Sequence, residues 1–266
     1  MDLDTGEVIW AGKGRSKEDF KHFFKDMPEG YLSEVCAVAM DMNASYNLLF
    51  TEKLPKAVIV YDRYHMQAQY GKDVLGVVRL QEARKHQREA RSILERADSL
   101  DDPEQKRQLK TEAKEEKQRY SQLKRLRWTL LTNGDKLSDE KAQRLQNILS
   151  DHSDLAVCYA MKEELCELFK LTDPVAAFAG WKRWFDAAEA SGIPALVKFA
   201  ELKRPRLDGL VAHAVFPIST GKLEGFNNKI KVAKRIGYGY RDDEYFFTLI
   251  RYLALPVAWL ESHNFP

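Results

Sequence analysis

One carboxylate stands alone in a basic stretch. In Ser219-Thr220-Gly221-Lys222-Leu223-Glu224-Gly225-Phe226-Asn227-Asn228-Lys229-Ile230-Lys231, Glu224 is the only acid from Lys222 to Arg235. Lys222, Lys229, Lys231, Lys234 and Arg235 surround it. Asn227 and Asn228 occupy positions where a helix prefers Ala or Leu. They follow Glu224 by three and four residues, so on a helix they share its face. A carboxylate and two amides on one face offer hard oxygen ligands for a divalent cation. Lysines beside them suit a phosphate backbone. The same residues also read as a capped surface helix with a solvated basic face, and composition alone favours that plainer reading.

Two further carboxylates sit where an α/β sheet puts its chemistry. Val35 to Met40 is a continuous apolar run, which predicts a strand buried on both faces. Asp41 stands at its carboxyl end, and Asn43 through Phe50 reads as a helix. After Pro55 comes a second apolar run, Ala57 to Tyr61, with Asp62 at its end and Arg63-Tyr64-His65 beyond. Strand, helix, strand is a parallel unit. Ligands of such sheets gather outside the carboxyl ends of the strands, where Asp41 and Asp62 both lie. Asp62 also reads as a strand-end acid that caps the turn after it. His65 reads as a structural hydrogen-bonding group near that edge.

Composition limits the alternatives. The 266 residues suffice for one large domain or two small ones. Lys and Arg number 42 against 40 Asp and Glu, so any basic surface must be local. Cys36, Cys158 and Cys166 form neither a metal-ligand spacing nor an even disulfide set. They read as buried free thiols in a reducing cytoplasm. Met1-Asp2-Leu3-Asp4 lacks the apolar core of a signal peptide, and no apolar run reaches the ~20 residues of a membrane span. A cytoplasmic protein with no membrane partner is expected.

The remaining chain must position these groups. Asp4-Thr5-Gly6 reads as a turn and Glu7 to Ala11 as a strand. Ser16 can cap a helix through Phe20, Phe23 and Phe24, with Asp19 as its reciprocal partner. From Gln67 the pattern turns helical, and no strand pattern returns until near Val211. Val74 to Trp128 is a charged stretch with few apolar points. Asp98 to Pro103 breaks it into two antiparallel helices. That hairpin reads as a solvated, mixed-charge element, or else as a DNA-facing or dimerising arm. Shorter helices are predicted at Asp139–Leu149, Leu155–Phe169, Pro174–Ala190 and Pro194–Leu202, with Trp181, Trp184 and Phe185 in the core. Gly237 and Gly239 mark a bend before a last amphipathic helix, Tyr245 to Leu255. Tyr238 and Tyr240 could stack on an unpaired base, although a core role suits at least one of them.

The wording of these stretches resembles one family. Leu223 to Lys231, followed by Lys-Arg-Ile-Gly-Tyr-Gly-Tyr-Arg at 234–241, resembles the end of the catalytic domain in bacterial insertion-sequence DDE transposases of the ISL-three group. Asp2 to Val8 looks like the family's second and third strands. Ala39-Met40-Asp41-Met42 with Tyr46 looks like the block carrying its second acid. Val60 to His65 looks like the block usually read as Asp-Arg-Phe-His. The resemblance implies Asp41 and Glu224 as catalytic, metal-holding second and third acids, with Asp62 in reserve. It also implies Asn227, Asn228 and His65 in support, and Lys229, Lys231, Lys234, Arg235 and Arg241 on DNA.

The resemblance implies a ribonuclease-H-like α/β fold. Residues 1–66 would carry its strands from the second onward. Residues 67–216 would form a helical insertion, and 217–266 would carry the catalytic helix and complete the domain. Mg²⁺ or Mn²⁺ would be the cofactor, transposon ends and target DNA the partners, and a homo-oligomer is compatible. The family's first acid lies in an Asp-Glu pair on the first strand, ahead of the block like Asp2 to Val8, and has no counterpart here. Nor have its zinc-binding and helix-turn-helix parts. The expectation is a catalytic region truncated at its N-terminus, lacking its first strand, binding metal weakly or not at all, and inactive alone. The alternatives are a non-catalytic DNA-binding remnant and a helical scaffold or interaction protein.

Overall fold

A computed structural model describes residues 1–14 and 16–255. They form two compact units, one of residues 1–63 with those from 215 onward, the other of residues 64–214. The chain is mostly helical α/β, with a two-stranded parallel sheet among the described residues.

The first unit opens on a turn in which Asp2 Oδ1 accepts the N–H groups of Asp4 and Thr5 at 2.8 and 3.0 Å. The strand predicted over Glu7–Ala11 does not form. It has no ladder partner among the described residues, and Trp10 takes the segment elsewhere. Its Nε1 donates to Asp26 at 2.9 Å and its ring lies 5.5 Å from Phe20. Both partners belong to α1 (Lys17–Asp26). The predicted capping box opens α1. Asp19 N–H donates to Ser16 Oγ, and Ser16 N–H donates to the Asp19 carboxylate.

A short α2 (Glu29–Ser33) leads into β1 (Ala37–Met40), α3 (Ala44–Lys53) and β2 (Val58–Tyr61). Asn43 caps α3 by accepting from Ser45 and Tyr46. β1 and β2 pair in parallel, Ala37 beside Val58 through Met40 beside Tyr61. Burial on both faces is not what is found. Ala37 to Ala39 are half-buried and Val58 is exposed, whereas Met40, Val60 and Tyr61 are buried at the carboxyl ends of the strands. The apolar weight sits instead in an aromatic cluster. Phe20 lies 5.3 to 5.5 Å from Phe50, Tyr46 and Phe23.

The second unit is all helix. α4 (Arg63–Tyr70) passes through a π-helical turn at Gly71–Leu75 into α5 (Gly76–Asp98). Gly71 lets the wide turn approach its neighbour, since a Cβ there would fall 2.3 Å from a Leu131 methyl. α6 (Pro103–Arg125) runs back along α5, capped by Asp102 with Pro103 at the first position. Then come α7 (Arg127–Leu131), α8 (Asp139–Ser150), α9 (Ser153–Leu168), α10 (Pro174–Ala190), α11 (Pro194–Lys203) and α12 (Leu207–Val211). The strand pattern near Val211 is therefore helical.

Trp181, Trp184 and Phe185 are fully buried, as their spacing predicts. Trp184 Nε1 donates to the Met161 carbonyl at 2.9 Å, and Tyr70 O–H to the Cys158 carbonyl at 2.8 Å. Cys158 and Cys166 are buried, and burial pushes the Cys158 thiol up to about 12. Cys36 is exposed, against expectation, because it precedes the paired part of β1.

The hairpin is not simply solvated. Arg79, Glu82 and Glu116 are buried in it. Arg79 donates to the carbonyls of Leu123 and Lys124 at the end of α6. His86 Nδ1 lies 2.6 Å from Glu116, which also accepts from Arg119 at 2.7 Å. Glu82 accepts from Lys85 at 2.6 Å and lies 3.3 Å from His152 Nδ1. Small seam residues, Ala83, Ala90, Ala97 and Ala113, let the helices approach and bury these pairs.

The chain returns to the first unit for α13 (Gly221–Ile236) and α14 (Asp243–Ala254), the latter capped by Asp242. Among the described residues no helix is long and apolar enough to cross a membrane.

Candidate functional site

Parallel register sets Asp41 and Asp62 at the same level. Each follows the last residue of its strand, and Met40 pairs with Tyr61. The Asp62 N–H donates to the Met40 carbonyl at 3.2 Å, which carries the ladder one residue further.

Beyond that point the two acids differ. Asp41 is exposed, with Oδ1 accepting from the Met42 N–H at 2.7 Å. Asp62 is 2% exposed. Its Oδ2 accepts the N–H of Thr220 at 3.1 Å. Thr220 is the residue before α13, and its carbonyl accepts from the Glu224 N–H at 2.8 Å. A carboxylate at the start of a helix meets free N–H groups and the positive end of the helix dipole. Asp62 thereby ties the start of the Glu224 helix to the carboxyl end of β2.

A second tie comes from a residue read only as part of the basic surround. Lys222 Nζ donates to the carbonyls of Leu3 and Asp4 at 2.9 and 3.0 Å. The first turn of α13 is thus held both to the strand end and to the opening turn. Phe226 anchors the helix in the unit's interior. Nothing in the sequence pattern of Lys222 distinguishes it from its basic neighbours.

Glu224 itself is exposed in that first turn, as are Asn227 and Asn228 one turn later. Lys231 Nζ approaches the Asn228 amide oxygen at 3.4 Å. Lys229, Lys231, Lys234, Arg235 and Arg241 are all exposed, and none joins an ion pair among the described residues. Lys234 lies 6.0 Å from the Phe246 ring centroid. His65, on α4 in the helical unit, is half-buried with its ring against Tyr64.

The hard oxygens of Asp41, Asp62 and Glu224 are of the right kind for Mg²⁺. Among the described residues, however, no three His, Cys, Asp or Glu side chains group closely enough to hold a metal ion. Asp62 is buried and engaged with a helix terminus, while Asp41 and Glu224 are exposed. Asp41 and Glu224 alone do not fit a complete metal centre.

The predicted bend after α13 has a specific construction. Gly239 N–H donates to the Lys234 carbonyl at 2.9 Å and Tyr238 N–H to Arg235 at 3.2 Å, the paired bonds of a Schellman cap. Two successive residues take positive φ, Tyr238 at 49° and Gly239 at 93°, and only Tyr238 carries a side chain there. Tyr238 is 100% exposed, whereas Tyr240 stacks on Phe246 at 5.0 Å. A non-glycine residue in that conformation costs roughly 1–2 kcal/mol, and Tyr238 recovers nothing through burial. Tyr238→Gly is expected to raise stability by about 1 kcal/mol in urea unfolding. If the ring stacks on a base, single-stranded DNA affinity should fall at the same time, since a stacked base is worth ~1–3 kcal/mol.

A family model of the ISL3 DDE type, described as "Transposase", matches residues 1–250. The transposase for insertion sequence element IS1001 of Bordetella parapertussis is 37% identical over 247 residues, covering 92% of this chain and 54% of that protein. The transposase for insertion sequence element IS1557 of Mycobacterium tuberculosis, from strains CDC 1551 / Oshkosh and ATCC 25618 / H37Rv, is 26% identical over 270 residues, 99% of this chain and 56% of its own length. The chain spans about half the length of these curated relatives. No solved structure matches it.

Proposed function

Because this chain belongs to the ISL3-type DDE transposase family, we propose that its 266 residues form part of a catalytic region for metal-dependent DNA strand cleavage and transfer. Asp41 and Glu224 supply its second and third carboxylates. The supporting observation is the Asp62–Thr220 bond. It fastens the helix that carries Glu224 to the strand end beside Asp41, as a shared site at that edge requires. Asp62 is a positioning residue in this reading.

We read the first unit as a ribonuclease-H-like sheet edge and the helical unit as its insertion. The family's chemistry draws on Mg²⁺ or Mn²⁺, and Asp41 and Glu224 would hold it once a third carboxylate joins them. Lys229, Lys231, Lys234 and Arg235 of α13, with Arg241, lie on the DNA backbone, and Asn227 and Asn228 line the same face. Transposon ends and target DNA are the substrates.

The test adds a part of a relative that these 266 residues do not span. A chimera places the N-terminal part of the Bordetella relative ahead of Met1. It is expected to cleave that relative's transposon ends with Mg²⁺ or Mn²⁺. Asp41→Ala and Glu224→Ala, each made in the chimera, should abolish cleavage while leaving DNA binding in place. A chimera that cleaves equally well without either acid would overturn the assignment.

A further inference from the structure

The helical hairpin is polarised in charge. Residues 76–91 and 113–127, its base, hold eleven Lys and Arg against four Asp and Glu. Residues 92–112, its tip, hold four against six. The net charge of +2 for the whole chain hides this separation. At the base lies a groove of about 1180 Å³ between α5 and α6. Its cations are Arg84, Lys85, Arg88, Arg91 and Lys117, and Tyr120 and Ser121 add hydroxyl donors.

Charge alone would describe any solvated helix. The pairing inside the groove is more specific. Lys85 is engaged with Glu82, and Arg91 with Glu95. Arg84, Arg88 and Lys117 are exposed and join no ion pair among the described residues. Two carboxylates also line the groove, Glu82 and Asp154. Glu82 is buried and satisfied by Lys85 and His152, so its charge is largely compensated.

Spacing selects the partner. Arg84, Arg88 and Arg91 follow one another at four and three residues, so they form a row on one face of α5. At 1.5 Å per residue that row is about 10.5 Å long. One DNA strand carries a charge about every 3.4 Å of helix axis, so a stretch of that length presents roughly three phosphates to the cations of the groove. Guanidinium groups bind phosphate oxygens in bidentate fashion, and Tyr and Ser hydroxyls are ordinary phosphate donors.

We propose that the groove at the base of the α5–α6 hairpin is a second nucleic-acid surface, separate from α13, that binds a DNA backbone without reading its sequence. For the class of partner it rests on the transposase reading. For its place it rests on the groove. The alternative occupant, an acidic protein segment, would find the same cations but has no reason to match a regular row of charges.

The experiment follows the salt dependence of binding to a fluorescent 30-base-pair DNA of arbitrary sequence, using the 266-residue chain. Arg84→Ala, Arg88→Ala and Lys117→Ala are combined in one variant. Each neutralised phosphate contributes about 0.9 to the slope of log K against log salt concentration. The triple variant should therefore lose ~2–3 of that slope and bind at least tenfold more weakly at 0.15 M salt. A second triple variant, Arg96→Ala, Arg107→Ala and Lys110→Ala, removes the same charge from the tip and should leave the slope unchanged. All six side chains are exposed, and circular dichroism checks that both variants keep the wild-type helix content.

An equal loss in both triple variants would show that net charge alone acts, and would overturn the proposal. So would a wild-type chain that binds no DNA at low salt. Tighter binding of a polyglutamate peptide than of DNA, lost in the groove variant, would assign the groove to an acidic protein instead. A separate arm with Lys231→Ala and Arg235→Ala tests the α13 surface. Loss of slope there with none in the groove variant would leave the transposase reading intact and remove only the groove.

Discussion

Supercoiled plasmid incubated with the 266-residue chain and Mg²⁺ or Mn²⁺ is expected to stay intact, to the level seen with an Asp41→Ala, Glu224→Ala control. Two-metal phosphoryl transfer needs charge stabilisation on both the attacking and the leaving oxygen. The chain contributes two exposed carboxylates, and among the described residues no third His, Cys, Asp or Glu completes a metal-holding group with them. Losing one electrostatic group of a preorganised site typically costs about 10²–10³-fold in rate. A site short of one carboxylate should lose at least that, which puts nicking by these 266 residues below detection. Metal binding alone is a weak test, because two acids can still hold an ion loosely. Robust nicking that disappears in the double control would show that Asp2, Asp4, Asp62 or a partner chain supplies the third carboxylate.

Much of this architecture is legible before any coordinates. The helix ends of the second unit were marked by strong local signals, Pro103, Pro174 and Pro194 at first turns with Asp102 and Asp173 as caps. The aromatic spacing of Trp181, Trp184 and Phe185 predicted their burial. The parallel unit was legible because an apolar run, a helix and a second run follow one another closely. Glu7 to Ala11 misled because alternation predicts a strand only if a partner pairs with it, and Trp10 finds α1 instead. The burial of these hairpin charges was invisible because each acid also has a partner far away in sequence. His86 and Glu116 are thirty residues apart, Glu82 and His152 seventy. Position in sequence marks such residues only as members of a charged stretch.

The site shows the same division. The placement of Asp41 after a strand and of Glu224 in the first turn of a helix was legible, from an apolar run ending in an acid and from a helical basic stretch. The role of Asp62 was half legible. A strand-end acid suggests a local capping role, but no local pattern announces that its carboxylate also accepts from Thr220, 158 residues later. Long-range hydrogen bonds of this kind carry no local pattern. Nor did sequence reveal that Lys222 is spent on backbone carbonyls rather than available to DNA.

Asp62→Ala is therefore expected to destabilise the first unit by about 2–3 kcal/mol. The substitution leaves the buried Thr220 N–H without that acceptor, at a cost of ~1–3 kcal/mol. It also removes a negative charge from the start of α13, worth a further ~0.3–1 kcal/mol. Thr220 is itself 6% exposed, so water has little access to replace the lost acceptor. Asp62→Asn keeps an oxygen facing Thr220 and should lose about half as much. Urea unfolding of the three proteins gives the order wild type, Asn, Ala. The same pair of substitutions in the chimera separates positioning from catalysis. A positioning Asp62 predicts that Asn retains most of the cleavage and Ala little, in step with stability. If Asn abolishes cleavage while unfolding like wild type, then Asp62 touches the reacting centre, and the roles of Asp41 and Asp62 must be exchanged.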